Sequence, residues 1–333
     1  MIGSAAAGKN VSITGLGVKV PDRVVLNEEL SQYVDTTDEW IRERTGIRER
    51  RIASAEEALS DLALPAARDA LAQAGLEGKD VDLLIVATVT PDMAFPSTAA
   101  LIADAVGAED AAAYDLSAGC TGFMYALAQA YGMLAGGLAQ RALVIGGDIL
   151  SRLFDWTDRS TLVLFGDGAG AVVLEAAPEQ GFLGFELGAD GAGGESLWLP
   201  GSGSRIFEEA DRTIRMNGRE VFKFATRILV QSAEELLAQC RVSVDDVDVY
   251  IPHQANVRII DHATRKLGIP SDRVVINVDR YGNTSSGSIP LAMADATADG
   301  RLAPGKLVLM TGMGAGLTWG SALMRWTMNG AAA

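Results

Sequence analysis

The chain has 333 residues, 48% of them hydrophobic and 21% charged, which is the composition of an ordinary globular protein with room for two domains or one large double domain. It carries 28 Lys and Arg against 43 Asp and Glu, a formal net charge of −15, and this argues against nucleic acid as the main partner because phosphate binding needs a basic surface. No apolar run reaches the roughly 18 residues of a membrane span. Two cysteines cannot build a disulfide framework, and with two histidines they offer no metal-ligand spacing, so a cytoplasmic protein without membrane contact, metal or cofactor is expected.

Residues 1–10 are small and nearly uncharged, without the basic start and apolar run of a signal peptide, and read as a short disordered extension. A strand is expected at 11–17. The spacing of Ser54 and Glu57 is that of a capping box opening a helix towards Gly75, which Pro65 should kink or split. Further short apolar runs predict strands at 83–89, 113–116, 142–146 and 170–174. In the second half they fall at 182–187, 249–252, 274–278, 307–311 and 319–325, with helical patterns between them. This alternation is that of an α/β protein.

The halves echo each other. Leu71-Ala-Gln-Ala and Asp80-Val-Asp-Leu-Leu-Ile recur half a chain later as Leu237-Ala-Gln-Cys and Asp246-Val-Asp-Val-Tyr-Ile. Helix-then-strand units converge on such patterns by chance, but the offset favours duplication, with halves at 11–176 and 177–330 and a site where they meet.

Cys120 lies between the strand 113–116 and a helix whose apolar residues Phe123, Leu127, Ala130 and Leu134 hold helical spacing. The unpaired N–H groups and positive dipole end of a helix start favour a thiolate there. A buried inert cysteine is the commoner fate of the residue type, and Cys240, late in a helix, fits it. The strand-to-helix turn points the other way for Cys120, which reads as a nucleophile. His253 follows an apolar strand, where open α/β sheets place their chemistry, while His262 lies on a polar helix face. Asn283 follows another strand, although turn chemistry alone could account for an Asn after Gly282. Gly166-Asp-Gly-Ala-Gly lacks the lysine and spacing of a nucleotide cradle and reads as close backbone packing.

Ser117-Ala-Gly-Cys-Thr-Gly-Phe, Val249-Tyr-Ile-Pro-His-Gln-Ala-Asn, Tyr281-Gly-Asn-Thr-Ser-Ser and Gly314-Ala-Gly-Leu-Thr-Trp-Gly resemble the β-ketoacyl-acyl carrier protein synthase III family. So do Asp38-Glu-Trp-Ile-Arg-Glu-Arg-Thr-Gly-Ile and Phe165-Gly-Asp-Gly-Ala-Gly, and the resemblance runs from about Val11 to Trp326. It implies a thiolase-like α/β/α/β/α fold of two related halves, the first carrying the nucleophile and the second the His and Asn, and a homodimer. It also implies a Cys120-His253-Asn283 triad, with the backbone N–H groups of Cys120 and Ala315 as oxyanion hole; the family often has Gly where Ala315 stands. Coenzyme A thioesters are then substrates and no cofactor is needed. A second catalytic histidine, as in elongating ketosynthases, or a second cysteine after 311, as in thiolases, is missing, which favours the initiating class.

By the same resemblance Trp40, Arg44 and Arg159 grip coenzyme A, though Arg44 alone is one charge in a polar run. Phe95 (from a partner subunit), Leu150, Phe165 and Phe222 match acyl-pocket positions, where core packing is the plainer alternative, and the ring of Phe95 hints at a short primer such as acetyl. Arg258, His262, Arg265 and Lys266 repeat at helical spacing. Such a stripe on an acidic chain suits an acidic partner. The family places acyl carrier protein there, beside Lys223, while a solvated helix face would look the same. A priming ketosynthase or acyltransferase of specialised metabolism, and a non-enzymatic acyl-CoA sensor, are the other readings.

Overall fold

The computed structural model describes residues 10–178, 181–205, 207 and 212–328. One sheet contains β1 (Asn10–Lys19), β2 (Leu83–Ala87), β3 (Ala112–Leu116), β4 (Arg141–Asp148) and β5 (Gly168–Ala177), in the order β1-β5-β4-β2-β3. A second contains β6 (Phe182–Ala189), β7 (Val249–Pro252), β8 (Leu307–Gly314) and β9 (Thr318–Arg325), in the order β7-β8-β9-β6. Pairing is parallel for β2 with β3 and β4, and for β7 with β8; the remaining neighbours are antiparallel. A single parallel bridge joins Tyr250 of β7 to Val274. The two sheets therefore correspond place by place: β1 to β6, β5 to β9, β4 to β8, β2 to β7, and β3 to the Val274 bridge.

Seven longer helices complete the body: α1 (Asp38–Thr45), α2 (Leu59–Ala74), α3 (Thr98–Val106), α4 (Gly122–Ala135), α5 (Gly218–Cys240), α6 (Val257–Leu267) and α7 (Ser288–Ala298). α2 and α3 bury Leu62, Ala66, Ala99 and Ile102 against Leu84, Val86, Leu143 and Val173 on the outer face of the first sheet. α4 and α7 lie between the sheets, with Phe123, Leu127, Ile289 and Ala292 packed among Ile85, Val144, Ile251 and Val308. α5 and α6 cover the second sheet's outer face through Leu236, Ile260 and Leu267 against Tyr250, Leu309 and Leu323. Five layers result. Alternate strand residues face opposite layers, which is why both sheets read as continuous apolar runs.

Four expectations change. The strand expected at 274–278 is reduced to the Val274 bridge. Gln254 Oε1 accepts the N–H groups of Asn277 and Val278 at 2.9 and 3.2 Å, and the chain turns into the short helix Val278–Tyr281. Ser54 and Glu57 close a turn, the Ser54 N–H donating to Glu57 Oε2 at 2.7 Å, but the helix starts later, at Leu59. Pro65 does not split α2, which runs unbroken; its missing N–H frees only the carbonyl of Asp61, an exposed residue that water can serve. Asn10 belongs to β1, and the rest of the expected extension lies outside the described residues.

Candidate active site

Cys120 sits in a helical turn, Gly119–Thr121, between β3 and α4. Gly119 has φ 57°, and a Cβ on it would stand 2.8 Å from Ala315 N; a Cβ on Gly314 would stand 2.5 Å from Cys120 N. The Cys120 turn and the β8–β9 turn thus interlock backbone to backbone, which only glycine permits at these places. Thr318 fastens them, its Oγ1 donating to Ala118 O at 2.9 Å and lying 2.6 Å from Thr121 Oγ1.

His253 leaves the end of β7 with its N–H donating to Thr311 O at 2.7 Å. Its Nδ1 is 2.6 Å from Ser288 Oγ at the start of α7, while its buried Nε2 has no hydrogen-bond partner among the described residues. Burial lowers its pKa to about 4, so the imidazole is neutral at neutral pH. Asn283 is pinned by backbone on both sides: its N–H donates to Leu164 O at 2.9 Å, and its carbonyl accepts from Gly166 N at 3.0 Å. Its Oδ1 accepts the Ser285 N–H at 2.8 Å, which leaves the side-chain NH₂ to donate elsewhere. An uncharged imidazole and an uncharged amide thus border the same cavity of about 210 Å³ as Cys120.

Trp40, Arg44 and Arg159 line that cavity too. The guanidinium carbons of Arg159 and Arg44 lie 4.7 and 5.4 Å from the Trp40 ring centroid, and Arg159 Nη1 donates to Asp35 O at 2.8 Å. A second cavity, about 430 Å³, also reaches Cys120 and is walled by Val89, Leu150, Leu153, Phe165 and Ile214. Leu150 and Phe165 are therefore brought together in an apolar space beside the thiol. Phe222 lines the cavity of Trp40 and Arg159, which Phe165 also borders, its ring 5.6 Å from the Arg258 guanidinium. Phe95 lines neither cavity and is 85% exposed. Lys223, Arg258, Arg265 and Lys266 are exposed along α5 and α6, while His262 is half-buried.

Burial opposes the thiolate that the helix start is expected to favour at Cys120. Burial raises the thiol pKa to about 11, against hydrogen bonds from Ser285 and Asn283, and the nearby Asp148 carboxylate pushes the same way as burial. A helix terminus contributes at most about 2 kcal/mol, whereas full desolvation can shift a pKa by about 3–5 units, so burial wins. Cys240 is half-buried near Gly184, and burial raises its thiol as well.

Sequence reading missed the polar support. Asp148, fully buried at the end of β4, accepts Thr88 Oγ1 at 2.8 Å, Val89 N at 2.7 Å, Thr90 Oγ1 at 3.0 Å and Ser286 Oγ at 2.9 Å. The available signal was a carboxylate ending an otherwise apolar strand, Ala142-Leu-Val-Ile-Gly-Gly-Asp. Ser288, which holds His253, carried no signal beyond lying in a small-residue run. Among the described residues no cluster of His, Cys, Asp and Glu is arranged to hold a metal ion, and no helix is long and apolar enough to cross a membrane.

Two family models match, 3-oxoacyl-[acyl-carrier-protein (ACP)] synthase III over residues 114–191 and its C-terminal counterpart over 237–326. A β-ketoacyl-[acyl-carrier-protein] synthase III of Symbiobacterium thermophilum is 51% identical over 323 residues, covering 95% of this chain and 98% of that one. The crystal structure of 3-oxoacyl-[acyl-carrier-protein] synthase III from Aquifex aeolicus VF5 superposes with a TM-score of 0.91 at 45% identity, over 95% of this chain and 100% of that one. A priming β-ketosynthase from the R1128 polyketide biosynthetic pathway also reaches 0.91, at 36% identity over 96% and 97%.

Proposed function

The chain belongs to the 3-oxoacyl-[acyl-carrier-protein] synthase III family of condensing enzymes, with their thiolase-like fold, and from that premise we propose a residue-level account of how it starts fatty acid synthesis. It joins an acyl-CoA primer, acetyl-CoA or another short acyl-CoA, to malonyl-acyl carrier protein by decarboxylative Claisen condensation. Cys120 attacks the primer thioester and carries the acyl group, with the N–H groups of Cys120 and Ala315 facing the developing oxyanion. Malonyl thioester then enters by the same cavity. Loss of carbon dioxide leaves an enolate, and His253 Nε2 and the Asn283 NH₂ donate to its oxygen. A neutral donor suits this step because it stabilises charge that appears only in the transition state. The carbanion attacks the acyl thioester and Cys120 leaves.

The observation that carries this reading is the shared cavity in which a buried thiol meets an unpartnered neutral imidazole nitrogen and an amide NH₂. Coenzyme A fits the mouth, where the adenine would lie against Trp40 between the Arg44 and Arg159 guanidiniums. The exposed cations Lys223, Arg258, Arg265 and Lys266, on the two helices α5 and α6 that also contribute to the cavity wall, suit the acidic carrier protein. The place-by-place match of the two sheets supports duplicated halves at 11–176 and 177–330, the second ending at residues outside those described. An 85% exposed Phe95 supports a cytoplasmic homodimer in which that ring is covered.

Intact-mass analysis tests the core of this reading. Incubation with acetyl-CoA should add one acetyl group per chain, and Cys120→Ser should abolish or greatly weaken the addition; undiminished loading of that variant sinks the assignment. A second reading, a priming ketosynthase of polyketide metabolism, draws on the likeness to the R1128 enzyme. Competition among straight, branched and longer acyl-CoAs separates the two, acetyl preference favouring the first.

A further inference from the structure

His253 can serve the proposed reaction in only one of its two neutral forms. Donation to the enolate oxygen needs the ring proton on Nε2; with the proton on Nδ1, a lone pair would stand there instead. Which form is present is set by the hydrogen bond that the other ring nitrogen makes. In this chain that partner is a hydroxyl: Ser288 Oγ, 1% exposed, lies 2.6 Å from His253 Nδ1. The same oxygen accepts the Gln254 N–H in a long contact of 3.4 Å, and it has no other hydrogen-bond partner among the described residues. Both neighbours are held in place. The His253 carbonyl accepts the Ala255 N–H at 3.0 Å. The Gln254 side chain is used up inside the protein, its Nε2 donating to Pro252 O at 2.7 Å and to Val275 O at 3.0 Å while its Oε1 serves Asn277 and Val278. Ser288 itself opens α7, the helix packed between the sheets.

We propose that Ser288 is a positioning residue whose hydroxyl donates to His253 Nδ1 and thereby fixes the ring proton on Nε2, at the border of the cavity shared with Cys120. A hydroxyl has one proton to give and two lone pairs to offer. With the ring proton on Nε2, the Ser288 O–H donates to Nδ1 while its oxygen accepts the Gln254 N–H. Every polar group of the cluster is then paired except Nε2–H, the group the reaction uses. With the ring proton on Nδ1, Ser288 Oγ would receive two N–H groups and its own O–H would have no acceptor. Nε2 would stay unpaired as well, and a buried cluster disfavours a second unpaired group. Ser288 lines neither cavity that reaches Cys120, so it acts through His253. The two half-reactions should therefore feel it differently. Acetyl loading draws on Cys120 and its oxyanion hole, whereas decarboxylation needs the Nε2 proton.

This rests on His253 being the donor in decarboxylation, and the test reads the proton and the activity separately. NMR of the full chain carrying nitrogen-15 histidine distinguishes a protonated ring nitrogen from an unprotonated one. The chain has two histidines, so a His262→Gln variant assigns the signals of each. At neutral pH the wild-type protein should show the His253 proton on Nε2. Ser288→Ala should move a large part of the population to the Nδ1 form. It should also lower kcat for carbon dioxide release from malonyl-acyl carrier protein about tenfold, with KM and the acetyl loading of Cys120 within about twofold. Ser288→Thr, which keeps the hydroxyl, should restore the wild-type spectrum and most of the rate. A wild-type proton on Nδ1 overturns the proposal whether or not any variant folds. So does a Ser288→Ala protein with the wild-type spectrum, or one in which loading and release slow alike. A wild-type protein with its proton on Nε2 that loads acetyl but releases no carbon dioxide overturns the functional reading, while the hold of Ser288 on the proton stands.

Discussion

The two sheets offer corresponding places and fill them with opposite chemistry. After β3 the chain enters α4 through Cys120; after the Val274 bridge it enters α7 through Asn283. At the end of β2, Thr88 and Thr90 serve a buried carboxylate, whereas at the end of the matching β7 stands His253. In the proposed mechanism one half thus supplies the nucleophile and the other the neutral donors. A shared frame fixes their approach while each half is free to specialise. The shortening of the second sheet's edge to a single bridge belongs to that specialisation, since it lets Gln254 draw residues 277–278 into a turn that leads on to Asn283.

Separating the two contributions by mutation gives the largest expected effect. His253→Ala should lower carbon dioxide release from malonyl-acyl carrier protein by roughly 10²–10³-fold, as loss of an oxyanion donor does, while acetyl loading of Cys120 changes only a few-fold. Equal losses in both half-reactions would show that His253 acts on the nucleophile instead. Next in size is the pH response of the thiol. Its pKa is raised from 9.0 to about 11, so the protonated form persists to higher pH than in a free thiol. Alkylation of Cys120 by iodoacetamide should therefore climb about tenfold per pH unit past 9 and level only towards about 11, whereas a plateau near 8.5 would contradict a buried thiol. The smallest effect belongs to the surface of the second half. Arg258→Glu should raise the KM for malonyl-carrier protein by about three- to tenfold at low salt and less at high salt, leaving acetyl-CoA loading unchanged.

Much of this was legible in the residues, for reasons that differ from place to place. Apart from 274–278, the strands read correctly because both sheets are covered on both faces and their apolar runs are continuous. Cys120 and His253 stand out because each follows an apolar strand, and Asn283 because it opens a run of small residues. The end of that reasoning was the charge state of Cys120: helix position is a local property, but desolvation is set by α4, the 285–288 segment and the β8–β9 turn closing around the thiol. Asp148 was hidden for the same reason, its partners lying far away in sequence.

The most direct test of a thiol in one half served by neutral donors from the other is carbon dioxide release from malonyl-acyl carrier protein by enzyme already acetylated on Cys120. Release matching the 3-oxoacyl product one for one is predicted, with no loss of rate between pH 8 and pH 6, because His253 titrates only at about 4. An acetylated enzyme that releases no carbon dioxide, or whose release falls tenfold as an ordinary histidine protonates, would contradict it.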